Sequence, residues 1–243
     1  MSKKMTLGIM QPYFFPYLGY FDLINRTDRW IVFDVVRYAP KSWMNRNRIL
    51  HPIEGWQYVS LPVDRHAGTG LIRDVPLLDP QAAHDKIQGQ IQHYRSAGAP
   101  FFHAVSALIS ATFADAASGL LRDMNVASLA ATCVYLDLPF HPENLSDLHL
   151  KLPEIDHAGQ WALEISNALG AQRYLNPPGG KDIFRPQDWE RRGIELAFTS
   201  MVSFSYVTGR HQFVEHLSIL DVLMWNPPDL VKAYLDSCKQ AEA

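Results

Sequence analysis

Three short clusters in this 243-residue chain combine side chains that bind anions or move protons. In the first, Asn45, Arg46, Asn47 and Arg48 follow Trp43. Their guanidinium forks suit phosphate, and the carboxamides both donate and accept, so the group can read a phosphorylated or sugar-bearing ligand. The second is Tyr174, Asn176, Gly179, Gly180 and Lys181, where a short apolar run enters a Pro-Pro-Gly-Gly turn. Amides exposed in such a turn hold an oxyanion, and the lysine adds charge. The third brings Tyr206 and Arg210 next to His211, an imidazole that can act as a general base near neutral pH. Asp34, at the end of an apolar run, is the other base candidate. Each group also has a structural use: surface ion pairing for the arginines, a solvated turn for Lys181, hydrogen bonding for His211 and a capped carboxylate for Asp34.

Other chemistries lack their spacing. His141, His149 and His157 recur every eight residues, which matches neither the i, i+4 pairing of helical metal ligands nor a short ligand turn. Gly-x-Ser-x-Gly, Gly-x-Gly-x-x-Gly and Cys-x-x-Cys are absent, and Lys181 is followed by Asp182 and not by the Ser or Thr of a Walker loop. Cys133 and Cys238 are too few and too far apart for a disulfide framework. The chain is 47% hydrophobic and 19% charged, so it can build a core, and its net charge of −3 supplies no global attraction to nucleic acid or anionic lipid. Pro12 and Pro16 break the helix a secretion signal needs, and no uninterrupted apolar run reaches the length of a membrane span. The expected location is the cytoplasm.

The elements that must position these groups alternate at both ends of the chain. Thr6 to Met10 predicts a strand, and residues 17–26 place apolar side chains at 17, 18, 20, 21 and 24 on one helical face. Trp30 to Val36 is an apolar run suited to a strand buried on both faces of a parallel sheet. Together they form a right-handed βαβ unit. Its loop is built of aromatics and prolines, a costly composition unless it holds something. Ligands of open α/β sheets sit where strand carboxyl ends meet the next helix, so Gln11 and Tyr13 are placed to line a pocket.

Residues 43–49 and 56–63 predict a strand pair in which Asn45, Asn47 and Ile49 share one face and Arg46 and Arg48 the other. Asp79-Pro80 opens a helix to about residue 97, and further helices are expected over about 100–114, 119–137 and 156–169, the last closed by Gly170. Short extended segments fall at 138–145, 173–175 and 194–199. The sum is an α/β fold in a single domain over 1–243, with a helical insertion or layer at about 79–137.

The stretch Gln11-Pro12-Tyr13-Phe14-Phe15-Pro16-Tyr17-Leu18-Gly19-Tyr20-Phe21, followed by Trp43-Met44-Asn45-Arg46-Asn47-Arg48-Ile49, resembles the WbqC-like protein family. Tyr174 to Lys181 and Leu217-Ser218-Ile219-Leu220-Asp221-Val222-Leu223 extend the resemblance over roughly residues 7–226. It implies a bacterial protein acting among enzymes that build surface polysaccharides such as O-antigen lipopolysaccharide, with nucleotide-activated sugars as substrates. Two positions depart from the family's pattern: Asp34-Val35-Val36-Arg37-Tyr38 carries Arg where Gln is common, and Tyr206-Val207-Thr208 ends in Thr where Gln is common. The layout also implies a Rossmann-like or nucleotidyltransferase-like sheet built from the two ends of the chain. Nucleotidyl transfer itself would need histidines where Tyr17-Leu18-Gly19-Tyr20 stands.

The function expected on these grounds is a transferase acting on a nucleotide-linked amino sugar, by N-acyl or aminoacyl transfer. Gln11, Tyr13, Asn45, Arg46, Asn47, Tyr174, Asn176, Gly179, Gly180, Lys181 and Tyr206 would contact substrate, and His211 or Asp34 would take the proton. A non-catalytic sugar-nucleotide-binding or assembly protein of the same pathway is the alternative. No cofactor or metal is assigned.

Overall fold

The computed structural model describes residues 4–64, 70–116, 118–200 and 203–241. In chain order the strands are β1 (Thr6–Met10), β2 (Arg29–Val32), β3 (Arg46–Leu50), β4 (Trp56–Ser60), β5 (Pro142–Asn144), β6 (Arg173–Asn176) and β7 (Glu195–Phe198). The helices are α1 (Leu18–Arg26), α2 (Pro80–Gln90), α3 (Gln92–Ser96), α4 (Phe102–Asp115), α5 (Leu121–Tyr135), α6 (Ala158–Ala168), α7 (Pro186–Arg192), α8 (Ile219–Trp225) and α9 (Pro228–Ala241). Five strands form a sheet in the order β5-β2-β1-β6-β7, with every pairing parallel, while β3 and β4 make a separate antiparallel hairpin.

The period of two along each strand sorts side chains to the two faces. Leu7, Ile9, Ile31 and Tyr174 point to the face covered by α6 and α7, where Tyr174 stacks on Trp189 at 5.0 Å between ring centroids. Trp30, Val32 and Leu175 point to the other face, into a core shared with α1, α9, the hairpin and the helices between residues 80 and 135. Each of these large side chains contributes about 1.5–3 kcal/mol by leaving water.

Two predicted elements are shorter than expected. The strand expected over Trp30 to Val36 ends at Val32, because the Asp34 carboxylate turns away to bond Ser146 and Arg122. The helix expected from 79 to 97 divides at Ile91 into α2 and α3. There His93 Nδ1 bonds the Gln90 carbonyl and diverts it from the helical ladder. Its start is as expected, with the Asp79 carboxylate accepting from the Ala82 amide and Pro80 in the first turn.

The strand order fixes where a ligand can enter. From β1 the chain moves outward through β2 to β5, then returns across β1 to β6 and continues to β7. Loops leaving the carboxyl ends of β1 and β6 therefore diverge, opening a crevice between them.

Candidate functional site at the carboxyl ends of β1 and β6

The loop between β1 and α1 leads out of that crevice, and groups distant in sequence hold most of its backbone carbonyls. Tyr20 Oη donates to the Gln11 carbonyl at 2.9 Å and Asn125 Nδ2 to that of Pro12 at 2.9 Å. The Phe14 amide donates to the Trp43 carbonyl, and the Phe15 amide to Ser128 Oγ. Asn47 Nδ2 donates to both Phe14 and Phe15 carbonyls, at 3.1 and 3.0 Å, and Ser218 Oγ adds a bond of 2.6 Å to Phe15. The Ile219 amide closes on Pro16. Buried carbonyls and amides left unpaired are costly, so these contacts let an irregular, apolar loop sit in the core, including Phe15 at a φ of 38°.

Three of the sequence motifs thus meet here: the loop, Asn47 of the hairpin, and Ser218 before α8. They meet on backbone, as scaffold. Asn47 Oδ1 accepts from the Arg48 amide at 2.8 Å, so both ends of its carboxamide are engaged inside the protein.

Beside the loop, a cavity of about 390 Å³ opens at the crevice. Its apolar wall includes Phe33, Trp161 and Phe184, and its polar groups are Gln11, Tyr13, Asn176 and Arg37. Trp161, on α6, meets Phe33 edge-on at 5.5 Å. An aromatic wall with a few polar anchors is the usual make-up of a small-molecule site. Tyr174 is buried in the floor; its hydroxyl donates to Asn176 Oδ1 at 2.7 Å, while Asn176 Nδ2 donates to the Pro177 carbonyl. Gly180 lies directly against that carboxamide, where a Cβ would fall 2.4 Å from Nδ2, whereas Gly179 has open space. Lys181 places Nζ over the Phe198 ring at 5.3 Å, outside the cavity lining.

Tyr13 also lines a second cavity of about 210 Å³ with Pro16, Tyr17, Trp43, Arg48 and His216. Burial raises the hydroxyl pKa of both Tyr13 and Tyr17, so both are neutral donors near pH 7. Arg46, on the same side of the hairpin, lies over the Tyr58 ring at 4.1 Å, and Asn45 donates to the Leu61 carbonyl.

The two expected bases stand apart from both cavities. Asp34 is fully buried and accepts from the Ser146 amide at 3.0 Å, Ser146 Oγ at 2.6 Å and Arg122 Nη1 at 3.1 Å. His211 packs against His93 with ring centroids 5.6 Å apart, and burial lowers the pKa of both, keeping them neutral at pH 7. Tyr206 donates to Asp221 Oδ2 at 2.6 Å, and Tyr94 donates to Oδ1 of the same carboxylate. Desolvation raises the Asp221 pKa to about 6.

Sequence reasoning missed Phe33, Trp161 and Arg37 as cavity residues, and Asn125, Ser128 and Ser218 as loop supports. Arg37 had one visible signal, its departure from glutamine. Among the described residues, no group of three or more His, Cys, Asp and Glu side chains is arranged to hold a metal ion. Nor is any described helix long and apolar enough to cross a membrane.

A parallel α/β sheet with an aromatic-walled cleft at its chain reversal defines the class of protein. Residues 11–233 match the WbqC-like protein family, and the chain belongs to it. It is similar to an uncharacterized Mycobacterium tuberculosis protein, Rv1507c, with 24% identity over 236 residues, covering 96% of this chain and 99% of that protein. No solved structure matches it.

Proposed function

We propose that the protein binds a nucleotide-activated sugar in the cleft between β1 and β6 and transfers an acyl or aminoacyl group to it, in the assembly of bacterial surface polysaccharide. The observation that carries this reading is the make-up of the cleft: Trp161 and Phe33 offer a stacking wall, Gln11 offers a carboxamide, and the exposed Arg37 stands at its edge as a cation. Arg37 has no carboxylate partner among the described residues, which suits a diphosphate. The strand order supports a Rossmann-like use of the sheet, with the ligand at the chain reversal.

Acyl transfer to an amine needs a group to take the ammonium proton and donors for the oxyanion. Tyr13, between the two cavities, is the donor in this reading. His216 is the imidazole at the rim of the second cavity, and His211 is the alternative base. Asp34 acts through position: with its lone pairs filled by Ser146 and Arg122, it holds the segment that carries Val36 and Arg37. Asn47 supports the loop, and Asn45, Arg46, Gly179 and Lys181 form the surroundings. The non-catalytic alternative draws on one observation: among the described residues, the lining of the main cavity contains no Asp, Glu or His.

The test is thermal stabilisation against UDP-, GDP- and dTDP-linked sugars, since a ligand that binds only the native state raises its stability by mass action. A shift that falls at least tenfold in apparent affinity in Arg37→Gln or Trp161→Ala supports the site. No shift with any sugar nucleotide overturns it. Turnover with acyl-CoA or aminoacyl donors then separates transferase from binding protein.

A further inference from the structure

The second cavity holds a cation that the protein leaves without a counter-ion. The Arg48 guanidinium lies between two half-exposed indoles, 5.5 Å from the Trp43 ring and 5.3 Å from that of Trp56. One of its nitrogens, Nη2, donates to the His216 carbonyl at 3.1 Å. Its Nε is shut off from solvent and has no hydrogen-bond partner. Among the described residues no Asp or Glu pairs with Arg48. A buried N–H of a charged group without an acceptor costs stability, and the indole faces offset the charge without filling the donor.

With Nε facing the protein interior, a ligand in the cavity meets the Nη edge of the guanidinium, and the surrounding groups define what fits there. Tyr17 meets His216 edge-on at 6.1 Å, and with Pro16 and Trp43 it forms apolar walls around the polar edge of Arg48. The space, about 210 Å³, equals roughly seven water volumes, enough for a small fragment and too little for a nucleotide. A planar carboxylate matches a guanidinium fork in shape and charge.

We infer that this cavity is a carboxylate subsite, in which Arg48 binds the free carboxylate of a small organic acid while apolar walls enclose its carbon skeleton. Resting on the transferase reading, which makes Tyr13 the shared wall of both cavities, the group transferred is then itself acidic: one acyl end of a dicarboxylic acid, an acidic amino acid included, moved from a thioester or ester donor to the amine while the donor's thiol or alcohol departs. The carboxylate on Arg48 is the one that does not react. Specificity for an anionic acyl group is thereby set on the hairpin, apart from the cleft that recognises the sugar nucleotide.

The test titrates the full chain with benzoate, succinate and glutamate, using benzyl alcohol and chloride as controls. Calorimetry and the total tryptophan fluorescence, to which Trp43 contributes, are the readouts. We expect saturable millimolar or tighter binding of at least one acid, no saturation by the controls, and a loss of tenfold or more in affinity in both Arg48→Lys and Arg48→Gln. Arg48→Lys keeps the charge and guards against misfolding, which the far-ultraviolet spectrum checks. Equal affinity in the variants, equal binding of benzyl alcohol, or no saturation by any acid would overturn the subsite. Sugar-nucleotide stabilisation is measured on the unmutated chain alongside the acid titrations. Its absence alongside intact, Arg48-dependent acid binding rejects the transferase reading and leaves the subsite standing.

Discussion

The two walls of the cleft are built in opposite ways. On the β1 side, residues 11–17 form an irregular loop whose backbone is held by Tyr20, Asn47, Asn125, Ser128 and Ser218, all buried. On the β6 side, Pro178–Ile183 is a short 3-10 turn with exposed Gly179 and Lys181, packed on its neighbours at Gly180, against Asn176, and at Ile183, against Gly159. The first wall is rigid because the carbonyls of Gln11, Pro12, Phe14, Phe15 and Pro16 all have protein partners, while the second carries the exposed lysine. Affinity built on a fixed wall loses little ordering entropy, while the opposite wall remains able to adapt to different ligands.

This contrast predicts the largest effect at Asn47. Asn47→Ala removes three internal hydrogen bonds and orphans a buried carbonyl, so it should lower stability by about 4 kcal/mol in urea titrations. A loss below about 1 kcal/mol would mean the loop is not held as described.

Asp221 comes next, on α8 beside the Ser218 latch. Its pKa of about 6 lies above the usual carboxylate value, so between pH 4 and 6 the native state binds more protons than the unfolded chain. The contribution is therefore complete below about pH 4 and is lost as pH rises through 6, a change of up to about 3 kcal/mol. Asp221→Asn should flatten that limb of the stability profile, and an unchanged profile would place the titration elsewhere.

On the other wall the effects should be smaller on stability and larger on ligands. Gly180→Ala forces the Asn176 carboxamide aside, because the new Cβ falls 2.4 Å from Nδ2. The expected cost is about 1 kcal/mol of stability with a clear loss of sugar-nucleotide affinity. Lys181→Ala should change stability by less than about 0.5 kcal/mol, leaving any effect to appear in ligand binding alone. If both variants destabilise as strongly as Asn47→Ala, the two walls do not differ.

Local patterning carried much of the fold. The alternation from Thr6 to Val32 made β1, α1 and β2 readable, and the period of two in the hairpin correctly put Asn47 and Ile49 on a face opposite Arg46 and Arg48. The site was readable where one segment supplies it, as with Gln11 and Tyr13 at the end of β1. It was unreadable where the sheet order brings segments together: Phe33, Arg37 and Trp161 join Asn176, a residue the sequence did single out, only through the packing of the sheet. Asn47 shows the same limit at one residue. Its carboxamide is suited equally to a sugar and to a backbone carbonyl, and only the position of Phe14 and Phe15 decides between them.

The last of these supports to be synthesised is Ser218, which reaches back 203 positions to Phe15. A nascent chain emerging from the ribosome can therefore pair β1 with β2 early, yet the loop between β1 and α1 stays unlatched until Ser218 has been translated. Closure so distant along the chain is slow, and aromatic residues exposed meanwhile invite aggregation. The protein should therefore depend on chaperones during its synthesis.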